Sequence, residues 1–171
     1  MIRHVFLTGE IGAGKSTALR RTLALLPGVR IGGVQTYYAE DRHAQDRELY
    51  IRAYGSAERG RLIGRLPGED SERITAAFDE TGAALLHEAR ERAQLIVIDE
   101  CGRLERAALD YHAALRACIE GDTPVLCVIR KHKAPWAEWI RSHPRVQLIE
   151  VTEENRDRIP EQAAALLRSG I

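Results

Sequence analysis

The stretch that most constrains this chain is Gly9-Glu10-Ile11-Gly12-Ala13-Gly14-Lys15-Ser16-Thr17, which satisfies the pattern G-x-x-x-x-G-K-[ST] without a mismatch. Each residue type has a mechanical task. Glycines let a loop wrap with its backbone N–H groups pointing inward, Lys15 can reach outer phosphates, and the Ser16 hydroxyl can sit on a magnesium ion. The flanks agree with this reading. Val5-Phe6-Leu7 precedes the loop as a buried strand would, and Ala18-Leu19 with Leu23-Ala24-Leu25-Leu26 follows as a helix would. Strand, loop and helix in that order place a helix N-terminus, with its positive end, behind the phosphates.

The remaining chain fits one domain, 1–171, built on such a unit. Lysine plus arginine equals aspartate plus glutamate at 25 each, so no bulk field draws the protein to nucleic acid or an anionic membrane. Cys101, Cys118 and Cys127 show no C-x-x-C spacing, which argues against a disulfide framework and a cysteine-rich zinc site. No apolar run approaches the length of a membrane span and no signal peptide is evident. The expectation is a cytoplasmic protein with no membrane or nucleic-acid partner.

Strands are predicted at 2–8, 30–38, 47–54, 94–100, 124–129 and 145–151. The polar stretch from Glu40 to Asp46 reads as the turn of an antiparallel hairpin inserted after the second strand. A loop is predicted through Gly55, Gly60, Gly64, Pro67 and Gly68. Helical spacing starts at Ser71, with Gly82 as a weak point. Further helices are expected from Gly102 to about Glu120, around Trp136 to Ile140, and from Glu161 to Arg168. The pattern predicts an α/β fold, a three-layer sandwich with a mostly parallel sheet, and a ligand at the carboxyl ends of the strands.

Gln94 to Glu100 is an apolar run ending in two carboxylates, the form taken by a buried parallel strand. A triphosphate in the loop needs a metal bridging its outer oxygens, and a carboxylate on a neighbouring strand end to hold it. Asp99 is placed for that task. Glu100 can orient and partly deprotonate a water for in-line attack. A further cation would meet the charge of the transition state. Arg130 and Lys131, in the cluster Arg130-Lys131-His132-Lys133, are candidates, with Arg103 behind them. Cys101 reads as a packing residue and Trp136 as a core or rim residue.

Taken with Leu-Ile-Val-Ile-Asp-Glu-Cys-Gly-Arg-Leu-Glu at 95–105 and Val-Thr-Glu-Glu-Asn-Arg-Asp-Arg-Ile-Pro at 151–160, the loop makes the sequence resemble a known family. These are the small nucleoside-triphosphatases of bacteria, archaea and animals, called cancer-related nucleoside-triphosphatase in the animal form. The likeness spans nearly the whole chain, although Cys101 stands where the family usually has an aliphatic residue and 52–76 matches poorly. It implies a Rossmann-like P-loop NTPase fold and magnesium-dependent hydrolysis of ATP, GTP and other nucleoside triphosphates to diphosphate and phosphate. By this resemblance phosphate binding falls on Gly9 to Thr17, Mg2+ on Ser16 and Asp99, and the catalytic carboxylate on Glu100, while Asn155 and Arg156 match the late motif and either approach the base or ribose or start the last helix. Two alternatives share the same cradle. One is a nucleotide or small-molecule kinase with 55–67 as its lid; the other is a nucleotide-dependent binding module that meets a partner around Tyr37 and Tyr38. Asp99-x-x-Gly102 fits the switch pattern of GTP-binding proteins, but no Asn-Lys-x-Asp base-reading motif accompanies it.

Overall fold

The computed structural model describes residues 1–39, 47–66, 68, 70–132 and 134–171. The turn expected at 40–46, together with Pro67 and Lys133, lies outside the described residues. Seven strands form one sheet in the order β4-β3-β2-β5-β6-β1-β7. They are β1 (His4–Thr8), β2 (Ile31–Tyr38), β3 (Arg47–Ala53), β4 (Arg61–Leu66), β5 (Leu95–Cys101), β6 (Val125–Ile129) and β7 (Val146–Glu150). From β2 to β7 every neighbouring pair is parallel, and β3 and β4 extend the sheet antiparallel beyond β2.

The central strands are apolar throughout because both faces of the sheet are covered. Successive residues point to opposite faces. Val5, Leu7, Leu95, Val97, Leu126 and Val128 therefore pack on one side, with α1 (Lys15–Ala24) and α6 (Ile159–Arg168). Phe6, Ile96, Ile98, Cys127 and Ile129 pack on the other, with α2 (Ser71–Ala77), α3 (Ala83–Arg92), α4 (Leu109–Glu120) and α5 (Glu138–Arg141). The result is the expected three-layer α/β sandwich with a mostly parallel sheet.

Three details differ from the expectation. The stretch expected to be a loop contains β4, which pairs with β3 from Arg47 opposite Leu66 to Ile51 opposite Arg61. Gly64 and the flanking arginines disguise it, because an edge strand presents a polar face to solvent. Fixed in this way as sheet, 61–66 is not a lid. The helix from Ser71 is interrupted by a π-helical turn, Phe78–Gly82, at the expected weak point. There a Cβ on Gly82 would lie 2.9 Å from Tyr111. Displaced from regular helix, Asp79 accepts hydrogen bonds from the N–H groups of Asp110 (2.9 Å) and Tyr111 (3.0 Å) and so caps α4. Finally, α4 begins at Leu109 rather than just after Gly102, and 103–107 form turns over the strand ends.

His4 ties β1 to this framework. Its ring is fully buried, with Nε2 2.9 Å from the Ile119 carbonyl and Nδ1 accepting the Val125 N–H at 3.2 Å. One nitrogen donates and the other accepts, which requires the neutral ring. Burial lowers its pKa from 6.5 to about 4. Between these values the unfolded chain binds the extra proton, so stability is complete above pH 6.5 and falls as the pH drops toward 4. The loss is on the order of 3 kcal/mol. Urea unfolding between pH 7 and pH 4 should show this slope in the wild type and a flatter one in His4→Asn; equal slopes would contradict it.

Candidate active site

The loop between β1 and α1 turns at Gly9, Gly12 and Gly14, whose φ angles are 147°, 80° and 101°. At Gly9 the constraint is also one of space, because a Cβ there would stand 2.4 Å from the Val151 carbonyl oxygen. The end of β7 thus closes against the loop, and the Val151 N–H donates to the Thr8 carbonyl at 2.7 Å. No side chain caps the N-terminus of α1 and its first turn carries no acid. Its N–H groups are therefore presented to a ligand, as an anion site requires. Lys15 Nζ folds over the loop and donates to the carbonyls of Gly9 (2.8 Å) and Glu10 (2.7 Å). Burial lowers its pKa, and the nearby Glu100 charge opposes that shift.

Opposite the loop, β5 ends in an irregularity. Ile98 pairs with Cys127 and Cys101 with Ile129, so Asp99 and Glu100 together oppose the single residue Val128. This extra residue is a bulge, which re-aims side chains that would otherwise alternate. Both carboxylates consequently line one cavity of about 350 Å³, together with Ser16 and Arg130. A second cavity of about 580 Å³ runs over 9–17 and shares Ser16, Glu100 and Arg130 with the first.

Within this mouth the acids have distinct settings. Asp99 Oδ2 accepts the Thr36 N–H at 3.0 Å, and burial raises the pKa of its carboxyl well above the usual range despite that bond. Glu100 Oε1 accepts from Arg130 Nε at 2.7 Å. Gly102 lies beneath the pair, where a Cβ would come within 3.0 Å of both Glu100 Oε1 and Arg130 Cδ. That contact accounts for the glycine three residues after Asp99. The segment after β5 is clamped at several points. Glu105 Oε1 accepts the Gly102 N–H (2.7 Å), Trp136 Nε1 donates to the Gly102 carbonyl (2.8 Å), and His112 Nε2 lies 2.7 Å from the Glu105 carbonyl. The rings of Trp136 and His112 stack at 4.1 Å, which makes Trp136 a packing residue of the rim.

The other expected residues divide by place. Lys131 Nζ pairs with Glu10 (3.0 Å) and Glu150 (2.6 Å), while Arg130 pairs with Glu100. Arg103 lines the smaller cavity. Cys101 is buried, and hydrogen bonding with Cys127 at 3.3 Å together with burial pushes its thiol far up. Asn155 is engaged within its own turn, donating to the Glu150 carbonyl (2.8 Å) and accepting from the Thr152 N–H (2.8 Å). The stem of Arg156 passes 3.4 Å from where a Gly14 Cβ would be, so it backs the loop. Tyr37, expected to face a partner, stacks on Tyr50 at 5.5 Å and donates to the Arg59 carbonyl at 2.6 Å.

Sequence reasoning missed Glu105 as a member of the site. It lines the smaller cavity, is 2 % exposed, and is raised by burial to about 7. Only its fixed place in the Asp-Glu-x-Gly-x-x-Glu run signals it, because Arg103 and Arg106 on either side give the look of a solvated turn.

Ser16 and Asp99 are both hard oxygen donors on one cavity wall, and the desolvated Asp99 carboxyl is suited to a compensating cation. Among the described residues no three His, Cys, Asp or Glu side chains converge as a metal cluster. Magnesium held through phosphate oxygens and water needs only one or two protein carboxylates.

Comparison with known proteins gives the kinship of the chain. A family model described as NTPase matches residues 4–164. The nucleoside-triphosphatase THEP1 of Methanosarcina barkeri is 33 % identical, over 96 % of this chain and 97 % of the relative. The cancer-related nucleoside-triphosphatase homolog of Bos taurus is 31 % identical over 93 % of each. The solution structure of a human cancer-related nucleoside triphosphatase matches the fold with a TM-score of 0.70, at 24 % identity over 99 % of both chains.

The raised pKa of Glu105 carries a stability signature. Between its ordinary 4.5 and about 7 the folded state binds more protons than the unfolded, so stability is lost as the pH rises through that window. Glu105→Gln keeps an acceptor for the Gly102 N–H and has no proton to lose. Its stability relative to wild type should grow from pH 4.5 to pH 7 and then level off, by roughly 3 kcal/mol in all. A difference independent of pH in denaturant titrations would refute the assignment.

Proposed function

We propose, from the premise that this chain belongs to the NTPase family, that it is a single-domain, cytoplasmic, magnesium-dependent nucleoside-triphosphatase in which Glu100 activates the attacking water. The observation that carries the reading is the shared wall of the two cavities: Ser16, Glu100 and Arg130 face both the phosphate loop and the carboxylate mouth. The kinship supplies the reaction class, hydrolysis of a nucleoside triphosphate. No helix among the described residues is long and apolar enough to cross a membrane.

In this reading the N–H groups of 9–17 receive the phosphate chain, and Lys15 exchanges the carbonyls of Gly9 and Glu10 for phosphate oxygens. Ser16 and Asp99 would hold the magnesium ion, which when bound offsets negative charge on the outer phosphates. Glu100 takes a proton from the water in line with the terminal phosphate. Arg130 starts on Glu100 and turns toward the phosphate as charge develops there. That exchange is energetically accessible because the side chains of the pair are 41 % and 46 % exposed, and ion pairs of that kind contribute only about 0.2–1 kcal/mol. Arg156 backs the loop at Gly14, close enough to approach the nucleotide, and Asn155 holds the turn that carries it.

Glu100→Gln retains an acceptor for Arg130 but cannot take a proton. Turnover should fall about a hundredfold or more while nucleotide affinity changes little. Phosphate release and equilibrium binding of a fluorescent nucleotide analogue measure the two; wild-type turnover in the variant would remove Glu100 from the mechanism.

A further inference from the structure

Hydrolysis requires a phosphate cradle and places for a magnesium ion and one water, yet the carboxylates at the end of β5 open on more space than these fill. The smaller cavity, at about 350 Å³, falls within the ~300–1,000 Å³ typical of small-molecule sites, where a single water takes up ~30 Å³. It lies on the β2 side of the carboxylates, and its occupant would face the same Glu100 and Arg130 that face the terminal phosphate.

The lining has two chemical characters. Leu19, Leu49 and Leu104 provide apolar surface, while Arg20, Gln35 and Glu105 provide polar groups. Glu105 is the most informative, because a carboxyl only 2 % exposed and held by the Gly102 N–H carries a large desolvation cost. A ligand hydroxyl donating to it would offset that cost. Its pKa near 7 leaves it able to accept such a bond at neutral pH. An occupant with a flat, weakly polar part for the leucines and several hydroxyls for the polar side is a nucleoside.

We infer that the cavity beside Glu105 binds a nucleoside, whose hydroxyl takes the place of water and accepts the terminal phosphoryl group of the bound triphosphate. The inference rests on the proposed function, since it uses the same bound nucleotide and the same base. The hydroxyl oxygen forms a bond to the terminal phosphorus, and the bond from that phosphorus to the bridging oxygen breaks. Its electron pair stays on the departing nucleoside diphosphate, and the hydroxyl proton passes to Glu100. The products are a nucleoside monophosphate and a nucleoside diphosphate, with no change of oxidation state.

The test incubates the whole protein with magnesium, ATP labelled in its terminal phosphate, and a mixture of ribonucleosides and deoxyribonucleosides, and resolves the products by thin-layer chromatography. Labelled nucleoside monophosphate is expected. Leu104→Trp, which narrows the cavity, should lower the ratio of that product to released phosphate at least tenfold. Phosphate release with no labelled nucleoside refutes this inference alone, and so does labelling that persists in a folded Leu104→Trp. Failure to produce either phosphate or labelled nucleoside refutes the proposed function and this inference together. The wild-type arm decides the matter by itself if the variant does not fold.

Discussion

The one-residue bulge of β5 against β6 is the constraint on which the site depends. In a regular strand Asp99 and Glu100 would face opposite sides of the sheet, and only one could reach the phosphate loop. Because both oppose Val128, both open on the same mouth. The cost of bending the strand there is met locally: the Arg130 N–H donates to the Cys101 carbonyl at 2.9 Å, resuming the ladder immediately beyond the acids.

Under the proposed mechanism, the groups around the bulge that would contact the ligand each already have a substitute partner. Lys15 rests on loop carbonyls, Arg130 on Glu100, and Asp99 on the Thr36 N–H. The contacts of the two cations are polar and partly solvated, so phosphate can displace them at modest cost. The groups that hold the frame are more deeply set. Glu105, Trp136 and His112 fix 102–105 through backbone atoms, and Glu105 does so in a setting that opposes its own ionisation. The proposed exchange at the terminal phosphate asks for this combination of displaceable cation contacts and a fixed backbone.

The loop at 9–17 is legible in the sequence because its shape depends on residue type: glycines where a side chain would strike Val151 or force an unfavourable φ, then a lysine and a hydroxyl. The parallel core is equally legible, since strands buried on both faces are apolar throughout. Three features are not. The alternation in β4 is masked by Gly64 and by arginines that suit an exposed edge. A bulge has no residue signature, so nothing in the order of Asp99 and Glu100 tells that their side chains share a direction. Glu105 takes its meaning from burial, and the turn from Arg103 to Ala107 that buries it has a composition that suits helix as well.

The most direct measurement is a crystal structure with a non-hydrolysable triphosphate and magnesium. The account predicts that Lys15 Nζ leaves Gly9 and Glu10 for phosphate oxygens, and that Glu100 stands within reach of the terminal phosphorus through one water. A terminal phosphate turned away from β5, with Glu100 still paired to Arg130 and no water between carboxylate and phosphorus, would contradict it.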